Sequence, residues 1–189
     1  TLDRREFREK LPLDSIFIPR AVKPPQLNAS WNSWNDIHGF RLDRAAQAAP
    51  LNSWWKGPDD LSAEVKLQYD REFLYFAARV VDDVHFQPSA GGSTWLGDGF
   101  QMSFGREDEY AYELLFALSA SGPDLYLLKS PDGRTGKLPG ARAAAVKLGN
   151  CVYYSAAIPW RALPGLNPVP GGRLNFNFLL NDNDGAGRK

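Results

Sequence analysis

Apolar and polar side chains alternate every second residue in short segments along the chain, and this feature restricts its fold more than any other. Val65, Leu67 and Tyr69 alternate with polar residues in one segment, and Phe176 and Phe178 alternate with asparagines in another. Successive side chains of a strand point to opposite faces, so each such segment predicts a half-buried β-strand. The 14 prolines and 17 glycines supply frequent turns. The sequence therefore predicts an all-β protein, an antiparallel β-sandwich of jelly-roll-like form.

The alternation begins near residue 61, and the segment before it is less regular. Residues 1–60 are expected to form an irregular N-terminal extension, with an edge strand and aromatic-rich loops, that belongs to the same domain. Residues 61–189 are expected to form the sandwich itself, incomplete at its C-terminus. A chain of 189 residues is of the size that one hydrophobic core serves.

The charge balance argues against two classes of partner. Lysine plus arginine and aspartate plus glutamate each number 22, so the formal net charge is zero. No overall positive field attracts the chain to phosphate backbones or to anionic lipid. No apolar run approaches the roughly 20 residues that a membrane-spanning helix needs. We therefore expect neither a nucleic-acid partner nor a membrane partner.

Residue patterns typical of enzymes are missing from the sequence. There is no nucleophile-elbow, zinc-protease, phosphate-loop or dinucleotide-binding motif. The two histidines, His38 and His85, have no second histidine at metal-ligand spacing, so both are expected to be ordinary surface or loop residues. Glu113 and Asp98 are the one carboxylate pair considered for glycoside hydrolysis. A single outward-facing glutamate is more often solvated or ion-paired, so the sequence favours a protein that is not an enzyme.

Five segments in order carry a family resemblance. They are 67–83 (LQYDREFLYFAARVVDD), 93–105 (STWLGDGFQMSFG), 112–119 (YELLFALS), 153–163 (YYSAAIPWRAL) and 176–184 (FNFLLNDND). Together they resemble the family 9 carbohydrate-binding modules. The resemblance implies a β-sandwich that binds an oligosaccharide or polysaccharide without catalysis. It also implies a secreted or periplasmic location, as one domain of a larger glycan-active protein.

The resemblance also implies site residues. Trp95, in a glycine-rich segment that looks free to move, matches a tryptophan that forms one wall of an aromatic clamp around a sugar. An indole ring removes the apolar face of a pyranose from water. Gln101 matches a position that usually carries a carboxylate, and Glu113 matches one that can carry an arginine. These two departures leave the particular sugar open. Asn177, on the polar face of the last predicted strand, completes the polar set.

The family's second clamp tryptophan would follow residue 189, where the sequence ends. Trp54 and Trp55, in a loop before the first matched strand, are the substitutes of the same kind, and a lid over the sandwich edge is the alternative role for them.

Structural calcium is a further implication of the resemblance, and two acidic segments, 80–86 and 181–187, offer oxygen ligands for it. Asparagine and aspartate side chains that cap their own turn explain the second segment without a metal, and the sequence favours this explanation.

Two other functions remain open. One is a structural sandwich without a ligand, packed on a catalytic neighbour. The other is a haem-binding electron-transfer domain that uses Met102, although strand parity favours a core role for this methionine.

Overall fold

A computed structural model describes residues 16–48, 55–106, 109–169 and 171–187, and it confirms the predicted antiparallel β-sandwich. The sheet orders are β1-β2-β3-β9-β8 and β10-β4-β5-β6-β7. None of the four short 3₁₀ helices in these residues has the length or apolar character to cross a membrane. The strands are β1 Gly39–Leu42, β2 Leu61–Tyr69, β3 Phe73–Asp82, β4 Gly99–Arg106, β5 Glu109–Ser119, β6 Gly122–Lys129, β7 Gly136–Lys137, β8 Arg142–Leu148, β9 Cys151–Pro159 and β10 Asn175–Asn181. The 3₁₀ helices are Asn32–Trp34, Ala45–Gln47, Gly91–Leu96 and Trp160–Ala162.

The core between the two sheets is built from the apolar set of each alternation. Phe100, Met102 and Phe104 of β4 are each at most 1% exposed. Phe100 meets Tyr154 of the opposite sheet edge to face, with ring centroids 5.4 Å apart. Met102 therefore fills the core, as strand parity predicts, among aromatic rings that cross the gap between the sheets.

The segment before β1 covers the outer face of the first sheet. Trp34 is 1% exposed and packs with Tyr75, Ala77 and Ala157 in a second, smaller core. The buried Lys66 amino group donates a hydrogen bond to the Trp34 carbonyl at 2.9 Å. The first sheet is thus buried on both faces near Trp34.

Candidate functional site

Three of the predicted site residues lie together on the outer face of the second sheet. Ser103 of β4 pairs with Glu113 of β5 on one side and with Asn177 of β10 on the other. Gln101 lies two residues before Ser103 and therefore shares its face. Cross-strand neighbours on one face are within side-chain reach. The face therefore offers an amide, a hydroxyl, a carboxylate and a second amide in adjacent positions.

Two residues outside the predicted set complete this polar face. The Gln101 amide nitrogen (Nε2) donates to the Asn181 side-chain oxygen at 3.1 Å, and Asn181 is only 3% exposed. The Lys129 amino group lies 3.7 Å from a Glu113 carboxylate oxygen. Glu113 is thus ion-paired, as expected of an isolated outward-facing glutamate. The period-two alternation that identified Asn177 also places Asn181 on the same face, so sequence parity could have found it.

The 3₁₀ helix Gly91–Leu96, here called the tryptophan helix, lies over the neighbouring part of the same face. Leu115 and Ala117 of β5 are each 1% exposed although they point away from the core between the sheets. The Gly91 amide donates to the Asp124 carboxylate of β6 at 2.6 Å. Trp95, near the end of this helix, keeps 39% of its surface exposed. The exposed indole is therefore carried by a segment that packs on the sheet with the polar face.

The tryptophan helix is fixed at both ends, which differs from the mobile loop that its glycines predict. The buried Gln87 side-chain amide donates to the carbonyls of Thr94 at 2.8 Å and Asp98 at 2.7 Å. The Asn183 side-chain amide donates to the Leu96 carbonyl at 2.7 Å. These partners lie before and far after the helix in sequence, so inspection of the glycine-rich segment alone could not reveal them.

Trp55, one of the two substitute clamp residues, is not brought to this face. Trp54 lies outside the described residues. The Trp55 indole N–H donates to the carbonyl of Leu61, the first residue of β2, at 2.8 Å, so it lies beside the first sheet. Within the described part of the chain, no residue is assigned as a second aromatic wall for Trp95. Trp54 stays a prediction, and Trp55 is closer to the lid role.

A buried cluster of titratable residues lies behind the tryptophan helix. His85 Nδ1 is 3.6 Å from Asp82 Oδ2 and 3.5 Å from Asp98 Oδ2, and the two aspartate side chains are 2% and 5% exposed. His85 Nε2 lies 3.0 Å from the Leu118 carbonyl oxygen. His85 lies in a loop, as expected, but tertiary folding places its ring between two buried carboxylates, which the loop position alone does not predict.

The buried position of Asp98 alters its ionisation. Burial is the largest influence and raises the pKa of Asp98 to about 7, while backbone amides of Phe86 and Asn183 that donate to its carboxylate oppose the rise. Asp98 is also remote from Glu113. Ser103, the partner of Glu113, lies five residues along the chain from Asp98, about 16 Å at the usual rise of a strand. This separation exceeds the roughly 5–9.5 Å between the two carboxyl groups of glycosidases.

The two acidic segments that suggested calcium meet at the same end of the sandwich. Carboxylate oxygens of Asp82, Asp83 and Asp184 lie within 4.8 Å of one another, which is a hard-oxygen donor set of the kind calcium takes. Asn183 also caps its own turn, since its side-chain oxygen accepts the Gly185 amide at 2.8 Å. Both roles considered for residues 181–187 are therefore compatible with the fold, and calcium remains a prediction.

The fold is that of the β-sandwiches classed as family 9 carbohydrate-binding modules. Two structures of one such module from Caldicellulosiruptor kristjanssonii superpose on the chain. The complex with cellotriose has a TM-score of 0.63 and 17% identity, and it covers 91% of this chain and 80% of the other. The complex with glucose has a TM-score of 0.61 and 15% identity, with coverages of 91% and 81%.

A Bacteroides uniformis protein proposed to bind carbohydrate has a TM-score of 0.56 and 14% identity, with coverages of 82% and 75%. No protein-family model matches the chain, and no curated protein matches it significantly. The similarity therefore concerns the fold, at sequence identities too low to transfer residue roles.

Proposed function

We propose that this chain is a carbohydrate-binding module whose sugar site combines Trp95 with the polar outer face of the second sheet. The observation that carries the proposal is the fixed, 39% exposed indole on a helix that packs against that sheet. Structures of the same fold have been determined with cellotriose and with glucose. We therefore take β-linked glucose oligosaccharides as the first ligands to test.

The two parts of the site have different roles in this proposal. The Trp95 ring covers the apolar face of one pyranose, a contact of the aromatic type worth about 0.5–1.5 kcal/mol beyond the area it buries. Gln101, Asn177 and Glu113 hydrogen-bond hydroxyl groups at the ring edge. These side chains discriminate between sugars, because a buried hydroxyl or amide without a partner costs about 1–3 kcal/mol.

The charged residues of the polar face indicate whether the sugar is neutral or charged. Glu113 is paired with Lys129, so the face presents both signs of charge in balance rather than a single sign. A neutral saccharide donates hydroxyl hydrogens to the carboxylate and accepts from the ammonium group. We therefore propose a neutral glycan in preference to a uronic-acid polymer. Secretion or export to the periplasm, and attachment to further domains, remain part of the same proposal.

Isothermal titration calorimetry with cellotriose and glucose, preceded by a glycan array, tests the function. We expect Trp95→Ala to weaken binding about tenfold or more, which corresponds to about 1.4 kcal/mol. Trp31→Ala is the matched control, because Trp31 packs on Tyr153 at the first sheet and is expected to leave sugar affinity unchanged. An array without any binding, or equal affinities for the Trp95 variant and the wild type, would support the structural-domain alternative.

A further inference from the structure

His85 is oriented so that its Nδ1 nitrogen points at two buried carboxylates. A carbonyl oxygen can only accept a hydrogen bond, so the contact with Leu118 places a hydrogen on Nε2 of His85. In the neutral ring Nδ1 then carries a lone pair. This nitrogen is fully buried and faces Asp82 and Asp98, and it has no hydrogen-bond partner among the residues that the structure describes. A lone pair aimed at two carboxylates is repulsive, so either a second proton on the ring or a metal cation must lie between Nδ1 and the carboxylate oxygens.

The distances fit a metal ion better than a hydrogen bond. Nδ1 lies 3.6 Å and 3.5 Å from the nearest oxygens of Asp82 and Asp98. An N–H···O hydrogen bond is shorter, about 2.7–3.2 Å. In a tetrahedral site with bonds of about 2.0–2.2 Å, neighbouring ligand atoms are about 3.3–3.6 Å apart. The three donor atoms also lie within 4.8 Å of one another, as ligands of one ion must.

The surroundings support the same conclusion. Among the described residues, no lysine or arginine forms an ion pair with Asp82 or Asp98, whose side chains are 2% and 5% exposed. Asp82 and Asp98 accept backbone amides through Asp82 Oδ1 and both oxygens of Asp98, which orients them. The Nε2 contact with a backbone carbonyl is the support that metal-bound histidines usually have.

We propose that Asp82, His85 and Asp98 bind a divalent transition-metal ion of the zinc class through Nδ1 and one oxygen of each aspartate. Imidazole nitrogen suits zinc and its neighbours in the first transition row, whereas calcium takes oxygen ligands. Three protein ligands leave one tetrahedral position for water.

The metal site has a structural consequence. Asp82 and His85 precede the tryptophan helix and Asp98 follows it, so one bound ion joins the two ends of the segment that carries Trp95. Binding stabilises the folded protein by mass action, and this effect does not depend on any sugar.

The experiment uses the chain freed of metal by a chelator and then dialysed, with Zn²⁺ as the probe. Calorimetry and elemental analysis are expected to give one zinc per chain. His85→Gln is expected to weaken zinc binding at least about 100-fold, since even changes to outer partners of metal ligands cost about 10–100-fold. His38→Gln is the matched control, because His38 is exposed and should leave zinc binding unchanged.

Two-bond ¹H–¹⁵N spectra of the wild-type protein make the test independent of variant folding. Zinc is expected to shift the Nδ1 resonance of His85 and to leave Nε2 protonated. The proposal is overturned by a shift confined to His38, by no zinc binding to the wild type, or by equal zinc affinities of the wild type and the His85 variant. Calcium binding that persists in that variant while zinc does not bind would also overturn it and assign the cation to the carboxylates alone.

Discussion

Replacing Gln87 with leucine removes the principal fastening of the tryptophan helix while keeping the side-chain volume similar. Gln87 is 8% exposed, and its amide donates to the carbonyls of Thr94 and Asp98 at 2.8 Å and 2.7 Å. Its oxygen accepts the Ser89 amide at 3.0 Å. The change therefore frees the buried Asp98 carbonyl and the Ser89 amide. It also removes one of two hydrogen bonds to the buried Thr94 carbonyl, which still accepts the Gly97 amide at 3.3 Å.

The expected loss of stability follows from these groups. Loss of the side-chain partner of the buried Asp98 carbonyl costs about 1–3 kcal/mol, and loss of the second hydrogen bond to the Thr94 carbonyl costs about 0.5–1.5 kcal/mol, which gives about 1.5–4.5 kcal/mol in total. The Ser89 amide is only partly buried and can bind water instead. Leucine is more apolar than glutamine, and its burial recovers about 1–2 kcal/mol. We therefore expect Gln87→Leu to lower the free energy of unfolding by roughly 1–3 kcal/mol.

Urea unfolding followed by circular dichroism measures this difference. Gln47→Leu is the matched control. Gln47 also makes three backbone hydrogen bonds, to the Arg41 carbonyl and from the amides of Asp43 and Arg44. It lies at the end of the more accessible 3₁₀ helix Ala45–Gln47, where water replaces these bonds. Its loss should stay below about 1 kcal/mol. Equal destabilisation by the two substitutions would refute the claim that burial of the Gln87 partners holds the helix.

Three further predictions concern the sandwich itself. Gly99→Ala should destabilise the protein by at least about 2 kcal/mol, because φ is +150° and an added Cβ would lie 2.8 Å from a strand carbonyl oxygen. Gly122→Ala is the control, with φ of +105° and open space around the added Cβ, and should cost about 1 kcal/mol. Urea unfolding compares the two variants, and equal costs would exclude the clash. Trp34→Ala should cost about 3–5 kcal/mol in the same assay, because the side chain is 1% exposed, and a loss near zero would mean that the N-terminal segment is not integral to the fold. Burial alone would raise the pKa of Asp70, but hydrogen bonds from the Tyr75 hydroxyl and two backbone amides outweigh burial and lower the pKa. The wild type should therefore lose stability relative to Asp70→Asn as the pH falls below the ordinary aspartate pKa of 3.8. Parallel pH profiles of unfolding free energy for the two proteins would contradict this.

Most of the β-sheet core could be predicted because strand geometry is local. Once a segment is extended, side-chain direction alternates with position, so Phe100, Met102 and Phe104 share a face whatever their partners are. The same rule placed Gln101 and Asn177 on the opposite face before any pairing was known. The ordered motifs added the architecture, which the superposed structures confirm.

Contacts between distant segments could not be predicted in this way. The glycines around Trp95 predict a mobile segment. In the structure, the side-chain amides of Gln87, before the tryptophan helix, and Asn183, after β10, donate hydrogen bonds to carbonyls of this helix. No second histidine lies at metal-ligand spacing from His85, yet the Asp98 carboxylate, which follows the tryptophan helix, lies 3.5 Å from His85 Nδ1. The sequence around Trp34 suggests a loop, but in the structure Trp34 packs on the outer face of the first sheet.

The sequence by itself determined which side chains face the core and which face outward, because a two-residue period is a property of the extended backbone alone. Only the tertiary structure decided that the indole is held in place, that His85 lies between two carboxylates, and that the polar residues of β4, β5 and β10 form one face. Hydrogen bonds and ion pairs depend on distances of a few ångströms between atoms far apart in the chain. Those distances are set by strand pairing and sheet packing, which no local pattern encodes.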